Sequence, residues 1–159
     1  MRKKSKYKPR PMLVNPLGYV LESMTRVANH DSYLIDMKIK NHQALTALTQ
    51  GHATRQDMDM LIAMANIVEA MYRMGIGGEY ADEVRDGVDA LYTVGVRGST
   101  AGRFILKASE MSALNLLIEL HDAQMEVSTI KDIERALKLV DQEFKMRKMR
   151  PIVKKVEVI

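Results

Sequence analysis

Apolar residues recur along this chain at spacings of three and four, and Gly, Pro and capping residues cut the recurrence into segments. Residues 55–74 carry two apolar stripes. One is Met58, Leu61, Ala65, Val68 and Tyr72; the other is Met60, Met64, Ile67, Met71 and Met74. Asp59, Asn66, Glu69 and Arg73 share what is left of the circumference, with Glu69 and Arg73 spaced as an i,i+4 pair. A helix this apolar belongs at the centre of a fold or at a subunit interface. Residues 110–126 are similar, with Met111, Leu114, Leu116, Leu117, Ile118, Leu120 and Met125 leaving only a narrow polar strip. Residues 130–148 differ. Ile130, Ile133, Leu137, Val140 and Phe144 form one thin seam, which suits a surface helix packed along one edge or half of a coiled-coil-like dimer contact. Residues 31–49 show a seam of Leu34, Met37, Ala44, Leu45 and Leu48, with Asn41 inside it as a polar group that needs a partner.

Local signals set the boundaries. Pro9 and Pro11 keep the first dozen residues extended, and Asn15-Pro16 opens a helix expected over 16–27. Asp31 or Ser32 caps the next helix, which Gly51 ends near Thr49. Thr54 and Asp57 have capping-box spacing, as do Thr129 and Asp132. Gly75 stops the 55–74 helix, and a turn through Gly78 leads into a helix expected over 79–94. Residues 95–103 read as a glycine-rich loop, and 103–107 as a short extended piece. Ser109 then caps the helix that starts at Glu110. Pro151 stops further helix. The expected fold is an all-α, single-domain bundle of five or six helices over residues 15–150. A disordered basic arm (1–14) and a basic tail (151–159) flank it.

Composition narrows the function classes. The 159 residues include no cysteine, which excludes disulfides, thiolate metal sites and a cysteine nucleophile. No apolar run is long enough to span a bilayer, and no apolar stretch follows the basic start as a secretory signal requires; a cytoplasmic protein is expected. The net charge of +4 conceals a segregation. Residues 1–10 hold six basic groups (Arg2, Lys3, Lys4, Lys6, Lys8, Arg10) and no acid. Residues 11–144 hold twelve basic and nineteen acidic groups. Residues 145–159 hold six basic groups, among them Arg147, Lys148, Arg150, Lys154 and Lys155, and one acid. The arm reads either as a solvated segment that aids solubility or as a sequence-independent clamp on phosphates. Tyr7 stands among its lysines, where it can stack on a base. A membrane-surface role would need an apolar face beside the arm, and none accompanies it.

Catalytic patterns are missing. His30, His42, His52 and His121 include no pair at helical spacing, and no Glu stands three residues before a His. No nucleophile–base set is apparent, so no enzyme, cofactor or metal is expected. His121 falls on the apolar side of its helix beside Asp122, as a partly buried, satisfied histidine would. Glu79, Asp82, Glu83, Asp86 and Asp89 gather at one helix start; they serve the helix dipole and solubility, or dock a basic partner. Arg97 and Arg103 lie in the glycine-rich stretch, which lacks GxGxxG and a Walker lysine and reads as a connector or partner-contact loop. Residues 114–137 have a loose helix-turn-helix form, but Lys131, Arg135 and Lys138 are interleaved with Asp132, Glu134 and Asp141. The thirteen methionines suit either an adaptable core or a groove facing another chain.

The stretches YKPRPMLVNPLGYVLESM, SYLIDMKIKNHQALTALTQGHATRQDMDMLIAMANIVEAM, GRFILKASEMSALNLLIELHDAQM and RKMRPIV cover most of the chain. In them the sequence resembles a group of short helical proteins from proteobacterial prophages and plasmid-like mobile elements. The resemblance implies a mobile-element accessory protein without catalytic residues. Three roles are open at this stage. The first is association with nucleic acid through the basic termini, with a dimerising helical body. The second is a protein-binding modulator of a host complex, acting through Glu79, Asp82, Glu83, Asp86, Arg97, Arg103 and a Met-rich face. The third is a virion structural or assembly protein.

Overall fold

The structure, a computed structural model, describes residues 31–146. The expected helix at 16–27, the basic arm and the tail lie outside that span. The described residues form five α-helices: α1 (Asp31–Thr49), α2 (Arg55–Arg73), α3 (Ala81–Ala101), α4 (Ala108–Val127) and α5 (Ile130–Lys145). A 3-10 turn, Gly78–Tyr80, leads into α3. No strand occurs among the described residues, and the expected all-α bundle is present.

The apolar arc of α2 places it at the centre, where it packs against α1, α3, α4 and α5. Met58, Leu61, Met64, Ala65 and Val68 of α2 join Ala44, Leu45 and Leu48 of α1 in the main core. Val84, Leu91 and Val94 of α3, with Leu114, Leu117 and Ile118 of α4, complete it. A second cluster sits at the far end of α2, where Ala70 and Met71 meet Met125 of α4 and Ala136 of α5. Burying one side chain of this size stabilises the fold by about 1.5–3 kcal/mol. Both methionine stripes of α2 are covered by the chain's own helices: Met58, Met64 and Met71 are buried, and Met60 and Met74 pack on the clusters as partly buried residues. Met58, Met64 and Met71 supply core.

The capping residues work as their spacing implies. The Thr54 N–H donates to the Asp57 carboxylate at 2.7 Å, and the Asp57 N–H returns to the Thr54 hydroxyl. Thr129 and Asp132 repeat the arrangement before α5. α4 begins earlier than expected and without a serine cap. The Lys107 N–H donates to the Glu110 carboxylate at 2.8 Å, so Glu110 closes the helix start from its third position.

The largest departure concerns residues 95–103. They are no loop: α3 runs on to Ala101, and Gly102, in the left-handed region at φ +74°, ends it with its N–H on the Gly98 carbonyl. Gly95 and Gly98 are buried inside the helix. The packing requires glycine at Gly98, because the Phe104 ring lies on it and an added Cβ would fall 2.1 Å from the ring. Gly87 likewise admits Leu117 of α4. Packing thus overrides the helix penalty of glycine, about 1 kcal/mol each. The expected extended piece at 103–107 is an irregular link.

α5 also differs from its seam. It packs along one edge, chiefly on α2, with Ala136 fully buried at the contact and Leu137 and Phe144 turned outward at 48% and 70% exposure. α5 lies against α2 rather than folding back on α4 as a close pair, so the two helices of residues 114–137 do not form a helix-turn-helix unit.

Candidate interaction surfaces

Glu79, Asp82, Asp86 and Asp89 are exposed at the start of α3, while Glu83 is half-buried. Asp82, Asp86 and Asp89 recur at four and three residues and so share one outward stripe. Arg85 pairs with Asp82 at 2.6 Å, which offsets part of the negative charge. The first turn of a helix is where carboxylates are most favourable, so Asp82 and Glu83 also stabilise α3 itself.

The two arginines expected beside this acidic face are engaged elsewhere. Arg97 projects from α3 onto Glu110 of α4, its two guanidinium nitrogens donating to the two carboxylate oxygens at 2.8 and 2.7 Å. It also donates to the Ile105 carbonyl at 2.6 Å. Glu110 is buried, and the guanidinium holds its carboxyl below the ordinary 4.5, against the upward push of burial. Arg103 donates to the Gly51 carbonyl at 3.0 Å and ties the α3–α4 link to the α1–α2 turn. Both side chains therefore clamp the fold.

The same corner holds an open groove of about 510 Å³. One wall is Ala53, Thr54, Arg55, Met58, Asp59 and Ile62; the other is Gly95, Gly98, Ser99 and Gly102, with Phe104 between them. Gly95 and Gly98 of α3 and its cap Gly102 line the groove without side chains of their own. The three- and four-residue spacing of Gly95, Gly98 and Gly102 is the sequence signal for it.

A polar seam joins α1 to α4. Lys38 pairs with Glu126 at 3.0 Å, and one turn further on the His42 Nε2 meets the Asp122 carboxylate at 2.9 Å. Behind them lies His121, fully buried, with its Nδ1 a long 3.5 Å from the other Asp122 oxygen and its Nε2 without a partner. Asn41 is buried beside this seam, as its place among the apolar residues of α1 implies. Gln124, also buried, donates to the carbonyls of Val68 and Ile76 and fastens α4 to the end of α2. Each i,i+4 pair, Lys38/His42 and Asp122/Glu126, is visible in the sequence; their pairing across two helices is not.

Burial holds the His121 imidazole neutral, with its pKa below the ordinary 6.5 despite the opposing pull of Asp122; Lys38 and His42 add smaller downward contributions. The unfolded chain therefore binds a proton at His121 that the folded chain refuses. Folding stability is full above pH 6.5 and falls as pH drops from there toward the lower folded-state value. Denaturant midpoints at pH 7.5 and 5.0 will show this loss, and His121→Leu will lose less over the same interval. Equal losses in both proteins would refute the assignment.

Arg2, Lys3, Lys4, Lys6, Lys8, Arg10, Arg147, Lys148, Arg150, Lys154 and Lys155 lie outside the described residues. Among the described residues, no three His, Asp or Glu side chains gather where they could hold a metal ion. No helix there is long and apolar enough to cross a membrane. No protein-family model, no curated protein and no solved structure matches the chain.

Proposed function

We propose that this chain is a non-enzymatic accessory protein of the mobile-element kind, holding nucleic-acid phosphates with its basic terminal segments and dimerising through its helical body. The charge segregation carries the reading. Residues 31–146 hold twelve Lys and Arg against eighteen Asp and Glu, out of 24 and 20 in the whole chain. The remaining residues therefore hold twelve basic groups against two acidic ones. The acidic bundle repels a polyanion, so phosphate contact falls to the ends. The cations of α5 support this division: Lys131, Arg135 and Lys138 are exposed but stand next to Asp132, Glu134 and Asp141.

Fluorescence anisotropy with labelled single- and double-stranded DNA and RNA tests the reading. Six phosphate contacts imply that affinity for duplex DNA falls about 10³-fold between 50 and 200 mM salt. Deleting residues 1–10 removes most of the binding and flattens the salt dependence. Affinity that is indifferent to salt, or that survives the deletion, overturns the proposal. If neither protein binds, the exposed stripe of Asp82, Asp86 and Asp89 favours the second reading, a contact with a basic partner protein.

A further inference from the structure

The groove between the start of α2 and the end of α3, about 510 Å³, has the volume of a small-ligand site, roughly 300–1,000 Å³. Its apolar lining includes Met58, which is buried, and Ile62 and Phe104, which are partly buried. Its hydroxyls are already engaged. Thr54 donates to the Asp57 carboxylate at 2.8 Å, and Ser99 donates to the Val96 carbonyl at 3.0 Å. Two charges on its α2 wall are not. Arg55 and Asp59 are exposed, and neither makes an ion pair among the described residues, even with the other. Four residues apart on one helix, they share a side, with Cβ atoms about 5–6 Å apart. The groove thus offers an apolar lining beside one free cation and one free anion.

We propose that this groove binds a short apolar peptide with both ends free, of dipeptide length. Its carboxylate meets Arg55, its ammonium meets Asp59, and its side chains lie against Met58, Ile62 and Phe104. Charge complementarity selects this occupant. An apolar anion would be repelled by Asp59, and an apolar cation by Arg55. An uncharged apolar ligand would take water from both charges and return no partner to either. A zwitterion satisfies the two together, each through a charge-assisted hydrogen bond. The length follows from the spacing. The charges of a free amino acid sit on one carbon. Two residues at about 3.3–3.6 Å each set those of an extended dipeptide roughly 7 Å apart, within reach of two side chains one helical turn apart. Both pairs are exposed, so binding is modest. The site uses neither terminal segment and needs no second copy, so it is independent of the proposed association with nucleic acid.

Titrating the dipeptide Leu-Leu into the full chain, followed by amide NMR shifts, tests the site. Saturable shifts are expected at Gly95, Gly98, Ser99 and Gly102. N-acetyl-Leu-Leu and Leu-Leu amide each lack one charge, and each is expected to bind about three- to fivefold more weakly, the scale of an exposed ion pair. Arg55→Gln should weaken Leu-Leu to the same degree yet leave the amide unaffected, and Asp59→Asn should do likewise with the acetylated peptide. Ser99→Trp, at an exposed position on the α3 wall, should fill the groove and abolish binding without lowering the melting temperature. No saturable binding at millimolar concentration overturns the proposal. So does equal affinity for the free and blocked peptides, or binding that survives Ser99→Trp.

Discussion

Arg97→Ala is expected to cost about 3 kcal/mol of folding stability, near the low end for breaking a buried ion pair. Glu110, 9% exposed, would be left with a charge and only its bond from the Lys107 N–H. The Arg97 side chain is 33% exposed, so solvent screens part of the pair, which is why the lower figure applies. The loss also frees the Ile105 carbonyl and loosens the link between α3 and α4. Denaturant unfolding at pH 7 reads the cost directly. The pH dependence has a definite sign. The depressed Glu110 pKa adds stability above 4.5 that fades as pH falls through the folded-state value. The gap between parent and Arg97→Ala therefore narrows on acidification below 4.5. A cost under about 0.5 kcal/mol at pH 7, in the range of a surface substitution, would mean that Arg97 is ornamental.

Gly98→Ala is expected to destabilise by about 2 kcal/mol, as overpacking does, although glycine to alanine inside a helix ordinarily gains about 1 kcal/mol. The new methyl would sit 2.1 Å from Phe104 Cδ1 and 2.9 Å from Cγ, so the whole ring must leave. The sign reverses in a second background: with Phe104→Ala in place, Gly98→Ala should be neutral or stabilising. Thermal unfolding of the four proteins of this cycle gives the coupling. Additive effects would show that the ring and the glycine do not meet.

The helices were legible because their signals are local. The two stripes of α2, the Thr54–Asp57 and Thr129–Asp132 boxes and the stop at Gly51 all act within one turn. What escaped depends on contacts between distant residues. Gly95, Gly98 and Gly102 read as a loop because each penalises a helix in isolation; Phe104, resting on Gly98, shows why the helix accepts that one, and Gly102 ends the helix. Arg97 read as a partner contact because its own partner, Glu110, lies beyond that glycine-rich stretch. The seam of α5 included Leu137 and Phe144 because they share a stripe with Ile133 and Val140; the neighbouring Ala136, too small to stand out, is the residue that fits against α2. The pattern of its helix puts His121 on the apolar side as a partly buried, satisfied histidine. There its burial is complete and its Nε2 has no partner, because the contact that would supply one would have to come from a distant helix, which the local pattern does not show.

The central position of α2 bears on how such a chain can change over generations. A new side chain at Leu61, Val68 or Met71 has to be answered on several helices at once, because α2 meets all four of the others. α5, leaning chiefly on one neighbour, carries no such obligation. Descendants can therefore acquire new contacts by rewriting Leu137 or Phe144, both exposed, while the hub they inherit stays the same.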